Sequence, residues 1–178
     1  MSERRVVRVD AATRTLTLND IVLPCVIGKG GVVPAADKQE GDGATPLGRW
    51  PLRAALLRPD RAAASARPGL PWRWIGPQDG WSDDPADPAY NRPVRLPHGS
   101  GHERLWRDDQ AYDALVVLAH NDAPPIAGRG SAIFFHQWVP GVDGAPKSTE
   151  GCVAVAPEAM RRLLPLLRPD MVMDIVAG

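Results

Sequence analysis

Three short stretches near the N-terminus constrain the fold most. In residues 5–10 Val alternates with charge, and in residues 14–18 Leu alternates with Thr. After a turn at Asn19-Asp20 comes a more apolar run, residues 21–27. A period of two puts every second side chain on one face of an extended chain, so these stretches read as three strands in a meander. Residues 49–57, 112–121, 133–135, 151–155 and 171–176 read as further strands. The 19 Pro and 17 Gly argue against a helical bundle and for short strands joined by turns. Residues 28–48 read as a flexible Gly-rich loop, and residues 59–71 as an exposed excursion. Two helices are predicted. One covers residues 157–167, with Pro157 at its first position, Glu158 at the positive end of its dipole, and Met160, Leu163, Leu164 and Leu167 on one face. The other covers residues 102–110, opened by a capping box from Ser100 to Glu103 and burying Leu105 and Trp106.

The 178 residues fit one domain, 1–178, long enough for a real core. Lys plus Arg equals Asp plus Glu at 21 each, so no net field draws the chain to nucleic acid or to an anionic membrane. No apolar run reaches the roughly 18 residues that a membrane-spanning helix needs. The first residues show neither an apolar leader region nor a cleavage site. Either a leader has been removed or the protein acts inside the cell. Two cysteines make no disulfide framework. Cys25, inside an apolar strand, reads as a small buried residue.

The chemistry concentrates in Ser131-Ala132-Ile133-Phe134-Phe135-His136, a spacer, and Ser148-Thr149-Glu150-Gly151-Cys152-Val153. An apolar strand delivers His136 to its end, and a second short strand opens at Cys152. If the two strands pair, a thiol that can lose its proton meets an imidazole that can take it. His136 then serves as the base for Cys152, and a thiolate–imidazolium pair stabilises both charges. The backbone N–H groups of Gly151 and Cys152 are the natural donors to a developing oxyanion, since Gly151 has no side chain to obstruct approach. His120, at the end of its strand, is either a polar tip at the rim of the site or a ring bonded to a loop carbonyl. Arg129 either clamps a substrate carboxylate or braces the Gly128-Arg129-Gly130 turn.

Other features read more plainly. Gly28-Lys29-Gly30-Gly31 lacks the spacing of a phosphate loop. Trp72, Trp74 and Trp81 are core residues or a sugar-stacking platform. Asp83 and Asp84 are adjacent, so in extended chain they face opposite ways, which disfavours an acid–base pair. His98 and His102 are four apart, but Pro97, Gly99 and Gly101 break any helix there and no third ligand is evident, so no metal site is expected.

His136, a spacer of about fifteen residues and then Thr149-Glu150-Gly151-Cys152-Val153 resemble the signature of the YkuD-type L,D-transpeptidase catalytic domain. Gly41-Asp42-Gly43-Ala44-Thr45-Pro46-Leu47-Gly48, Gly80-Trp81-Ser82-Asp83-Asp84, Tyr90-Asn91-Arg92, His120-Asn121 and Gly128-Arg129-Gly130-Ser131 resemble one branch of that family in the same order. The resemblance implies a mainly-β sandwich or open barrel with a few short helices. It implies Cys152 as nucleophile, His136 as base and the backbone carbonyl of Gln137 orienting the ring. Gly151 and His120 assist the oxyanion, and Arg129, Thr149, Glu150, Trp138 and Asn121 contact substrate. The implied partner is a peptidoglycan stem peptide, without cofactor or metal, in the periplasm or cell envelope. The implied reaction is attack on the third residue of a stem tetrapeptide, loss of D-Ala and 3→3 crosslinking, or hydrolysis of the same acyl-enzyme as an L,D-carboxypeptidase or endopeptidase. The competing reading is a non-catalytic cell-wall-binding module on this fold. Two positions depart from the pattern: Glu150 stands where many members carry His, and Ala154 where Arg or Asn is common.

Overall fold

The computed structural model describes residues 6–61 and 67–178. The core of the predicted excursion, residues 62–66, lies outside the described residues, as does Arg5. The alternating stretches form β1 (Val6–Asp10), β2 (Thr15–Leu18) and β3 (Ile21–Val26), paired as an antiparallel meander. There follow β4 (Val32–Pro34), β5 (Thr45–Leu57), β6 (Trp72–Trp74), β7 (Asp79–Ser82), β8 (Pro93–Arg95) and β9 (His102–Arg104). The chain ends with β10 (Ala114–Leu118), β11 (Phe134–Gln137), β12 (Val153–Val155), helix α1 (Pro157–Leu163) and β13 (Val172–Val176).

Eight of the strands close a mixed barrel in the order β10-β11-β12-β3-β2-β1-β13-β5, sealed where β5 pairs back onto β10. The fold is thus mainly β, as the strand pattern implies. β5 is the seam. Its first half pairs with β13 (Gly48 to Ile175, Trp50 to Met173) and its second half with β10 (Leu56 to Leu115). β1 and β13 pair in parallel, which ties the two ends of the chain together. A separate three-stranded sheet, β8-β7-β9, packs on the outside.

Alternation sorts the side chains of the sealed wall into two clusters. Val116, Phe135, Val153, Val155 and Leu57 point inward, with Val7, Val9, Leu16, Met173 and Ile175. α1 adds Ala159, Met160 and Leu163 to the same core. Their neighbours Leu115, Phe134, Cys152 and Leu56 point outward and pack with Tyr112, Ile75 and Leu105, partly covered by Trp81 of the small sheet. Phe134 and Phe135 are both fully buried, one on each face of the wall. Removing either ring costs about 3–5 kcal/mol in a core of this kind. β11 therefore cannot slip by one residue without exchanging two full phenyl sites.

Two predicted elements differ. Residues 102–104 form β9, not the start of a helix, and Glu103 caps nothing. They pair with β7 (Trp81 to Glu103, Ser82 to His102), so a tertiary ladder overrides the local capping pattern. Beyond β9 the chain is irregular, with the carbonyls of Arg107, Asp108 and Asp109 taken by Arg58 and Arg61. The second helix is shorter than predicted: α1 ends at Leu163 and a 3-10 turn covers Leu164–Leu166, because Pro165 has no N–H to continue the ladder. Residues 28–48 hold β4, a 3-10 turn at Ala35–Asp37 and the first residues of β5.

Candidate active site

β11 and β12 run parallel, with Phe135 level with Val153 and His136 level with Ala154. One step back along the ladder sets Cys152, the residue before β12, level with Phe134. Side chains two apart share a face, so Phe134, His136 and Cys152 all point outward from the barrel. His136 and Cys152 are diagonal neighbours on adjacent strands, a relation that spans roughly 7–8 Å between backbones and that long side chains can bridge. Both are buried, and both line a single cleft of about 500 Å³. The loop between the strands supplies one wall through Trp138, Lys147, Thr149 and Glu150. The other wall carries Glu40, Asp83, Glu103 and Tyr112.

The hydrogen bond at Nδ1 of His136 decides its tautomer. Nδ1 lies 2.7 Å from the carbonyl oxygen of Gln137, and a carbonyl only accepts. Nδ1 therefore carries the proton, and Nε2 keeps a lone pair. The Tyr112 ring stands edge-on to the imidazole, centroids 5.2 Å apart. Burial pulls the imidazole down to about 4, against the pull of the Gln137 carbonyl.

The thiol is also pushed toward its neutral form. Burial first, then the charge of Glu103, pushes Cys152 up to about 12. Its Sγ donates to the Ala132 carbonyl at 3.3 Å and accepts from Phe134 N–H at 3.3 Å. Among the described residues its hydrogen bonds go to these two groups and not to His136. Burial raises the thiol and lowers the imidazole, which disfavours both charged forms before substrate binds. Base and nucleophile must exchange their proton as the sulfur attacks.

The predicted site residues separate into two groups. Thr149, Glu150 and Trp138 line the cleft. Thr149 Oγ1 donates to the Cys152 carbonyl at 2.7 Å and accepts from Gly151 N–H at 3.2 Å, so one of the two predicted oxyanion donors already has an internal partner. Gly151 is held at φ +141, and a Cβ there would lie 3.0 Å from the Ala44 carbonyl. Glu150 is exposed and paired with Lys29 at 2.8 Å.

His120, Asn121 and Arg129 are not among the residues that line the cleft, and their polar groups bond loop carbonyls, the second of the two readings open for His120 and Arg129. His120 Nε2 bonds the Arg129 carbonyl at 3.0 Å, and its ring packs edge-on against Trp50. The Asn121 amide donates to the carbonyls of Ile126 and Gly130. Arg129 donates to the Ala36 carbonyl at 2.6 Å. All three brace the turn before β11. Cys25 is buried in the barrel interior, on the opposite face of the wall from Cys152, and both cysteines are free. His98 bonds Asp87 at 2.6 Å and stands edge-on to His102, and no group of three or more His, Cys, Asp or Glu that could hold a metal is found among the described residues.

Several residues of the site carried no signal strong enough to find them. Asn91 is buried with φ +54 and joins four groups. Its Oδ1 accepts from Trp81 Nε1 and Ala132 N–H, and its Nδ2 donates to the carbonyls of His120 and Asn121. This fixes Ala132 at φ +51, with its carbonyl against the sulfur. Glu103 and Tyr112 bond each other at 2.5 Å across the cleft wall. Tyr90-Asn91-Arg92 stood out in the sequence, but which of its members reaches the site depends on a fold that no local pattern encodes.

A closed mixed barrel with a thiol and an imidazole on neighbouring strand ends, opening on one cleft, defines a class: a mainly-β domain with a cysteine–histidine site. The chain belongs to the YkuD L,D-transpeptidase catalytic domain family, whose sequence pattern matches residues 4–175. Members of that family are typically transpeptidases that act on peptidoglycan. No curated protein matches the chain. Among solved structures it is similar to that of Bd1075 from Bdellovibrio bacteriovorus, at 16% identity and a TM-score of 0.52, over 98% of this chain and 48% of that one. At that identity the likeness shows the fold, and the chain spans about half the length of that protein. No helix among the described residues is long and apolar enough to cross a membrane.

Proposed function

We propose that this chain is a cysteine-dependent peptidoglycan L,D-transpeptidase, with residues 1–178 as one catalytic domain acting in the cell envelope. The observation that carries this reading is the placement of Cys152 and His136 on the same outward face of two paired parallel strands, at one cleft. His136 Nε2 takes the thiol proton as Sγ attacks the L-centre carbonyl of the third residue of a stem tetrapeptide. The S–C bond forms, and the negative charge on oxygen is met by Cys152 N–H, joined by Gly151 N–H once it leaves Thr149. Collapse breaks the C–N bond, the imidazolium protonates the amine, and D-Ala departs. An amine of a second stem then takes the acyl group and gives a 3→3 crosslink. If water takes it, the same steps make an L,D-carboxypeptidase.

The Gln137 carbonyl orients the imidazole for both halves. Thr149, Glu150 and Trp138 contact the stem from the loop side. The steps use these protein groups alone. Mass spectrometry of a diaminopimelate tetrapeptide incubated with the protein tests the reading. Wild type is expected to yield a crosslinked dimer and free D-Ala, and Cys152→Ala neither. A trimmed tripeptide in place of the dimer makes the enzyme a carboxypeptidase, and no product from wild type overturns acyl transfer.

A further inference from the structure

Deacylation by an amine poses a problem that His136 alone does not solve. An acceptor amine arrives as an ammonium. It must lose one proton to become a nucleophile and a second as its bond to carbon forms. His136 handles one proton at a time.

The cleft holds a second candidate base. Glu103 sits on β9 of the small sheet and lines the cleft with Cys152 and His136. Its Oε1 accepts the Tyr112 hydroxyl at 2.5 Å, and among the described residues no hydrogen bond goes to Oε2. The nearest cation, Arg107, lies 3.8 Å away, but its guanidinium is committed to Asp109 through Nε at 2.9 Å and Nη2 at 2.6 Å. The other cleft carboxylates differ. Glu40 takes the hydroxyls of Tyr90 and Ser131 at 2.5 and 2.7 Å, both on Oε2, so it too has an open oxygen, but it is anchored through those residues rather than through the Tyr112 ring that packs on His136. Asp83 has no comparable anchor to the residues around His136. Tyr112, which holds Glu103, also packs edge-on against both His136 and Phe134, so the carboxylate is registered to the catalytic strand through one rigid ring. Burial holds the Glu103 carboxyl above the usual carboxylate range, which suits a group that must take a proton near neutral pH.

We propose that Glu103 is the catalytic residue that receives the acceptor ammonium and takes its first proton, committing the thioester to aminolysis over hydrolysis. The inference rests on the acyl-transfer reading above. The ammonium gives one proton to Glu103 and becomes a free amine. Its nitrogen attacks the thioester carbonyl, the C–N bond forms and the C–S bond breaks. The second proton passes to His136 and on to the departing sulfur, which restores the thiol. Glu103 returns its proton to solvent.

The test is a two-stage measurement with the diaminopimelate tetrapeptide as both donor and acceptor. Formation of the Cys152 thioester is timed by intact-protein mass, and the ratio of crosslinked to hydrolysed product is then read. In Glu103→Gln the thioester is still expected to form, which also shows that the variant folds, at a rate changed by loss of the charge that helps raise the Cys152 thiol. The product ratio is read only from thioester already formed. The crosslink-to-hydrolysis ratio is expected to fall about a hundredfold, the low end of general acid–base effects. Glu103→Asp, which keeps a carboxylate, is expected to lie between the two. An unchanged ratio in Glu103→Gln, an equal loss in both stages, or an Asp variant no better than Gln overturns the role of Glu103 while leaving acyl transfer standing. A wild type that forms no thioester, or that only hydrolyses it, overturns this inference together with the transpeptidase reading.

Discussion

His136 is a base because of what occupies its other nitrogen. The Gln137 carbonyl fixes the proton on Nδ1, and burial disfavours a second proton on the ring, from 6.5 in the open to about 4 in the fold. Folding therefore excludes a proton that the unfolded chain binds between those values. This group's contribution to stability is full above about pH 6.5 and is lost as pH falls toward 4. The loss is on the order of 3 kcal/mol at most. His136→Gln removes the titration but keeps a polar side chain of similar reach. Urea denaturation at pH 7.5 and pH 4.5 is expected to show wild type losing roughly 2 kcal/mol more than the variant over that interval. Equal losses would mean that the ring titrates as an exposed histidine does. The same burial raises the Cys152 thiol, which disfavours a resting thiolate and makes reactivity depend on the base beside it.

At the scale of elements, the turn at Gly28 and the Thr149–Cys152 loop make one unit. Gly28 forms a bridge with Thr149, and its N–H donates to Thr45 Oγ1 at 2.8 Å. Lys29 N–H donates to the Thr149 carbonyl and Thr149 N–H to the Ile27 carbonyl. A Cβ at Gly28 would lie 2.2 Å from the Gly43 carbonyl, backbone that cannot swing aside. Gly28→Ala is expected to cost about 1–3 kcal/mol in denaturant and to slow Cys152 acylation more than tenfold, because the loop carrying the sulfur shifts with the turn. A variant with wild-type stability and acylation would contradict this coupling. The sequence reads residues 28–48 as flexible because the partners that tighten them come from residues 149 and 150, far along the chain. The helix expected over residues 102–110 fails for a related reason: the capping signal of Ser100 and Glu103 is local, while the ladder to β7 is not. Where one local period decides the outcome, as in β1, β2, β3, β11 and α1, the sequence reading and the structure agree on the type of element.

At the scale of the whole molecule, alternation in the sequence shows that two faces exist but not which strands share them. The parallel pairing of β1 with β13 and the closure of β5 onto β10 join segments far apart in the chain, and no short window contains either. The motif around His136 and Cys152 was legible because thiol chemistry needs a particular pair of side chains. The opposite wall of the cleft was not, since Glu103 reaches it only through the docking of the small sheet on the barrel, where it meets Tyr112 from the approach to β10. That docking covers the outer face of the barrel beside β11 and β12 and leaves a cleft there, with the sulfur and the imidazole inside it. The most direct test of the account is to trap the protein with a diaminopimelate tetrapeptide by rapid acid quench and map the adduct by peptide mass spectrometry. The account predicts an acyl group on Cys152, with the mass of the stem less D-Ala, present in wild type and absent in Cys152→Ala. An adduct on another residue, or turnover that survives in Cys152→Ala, would contradict it.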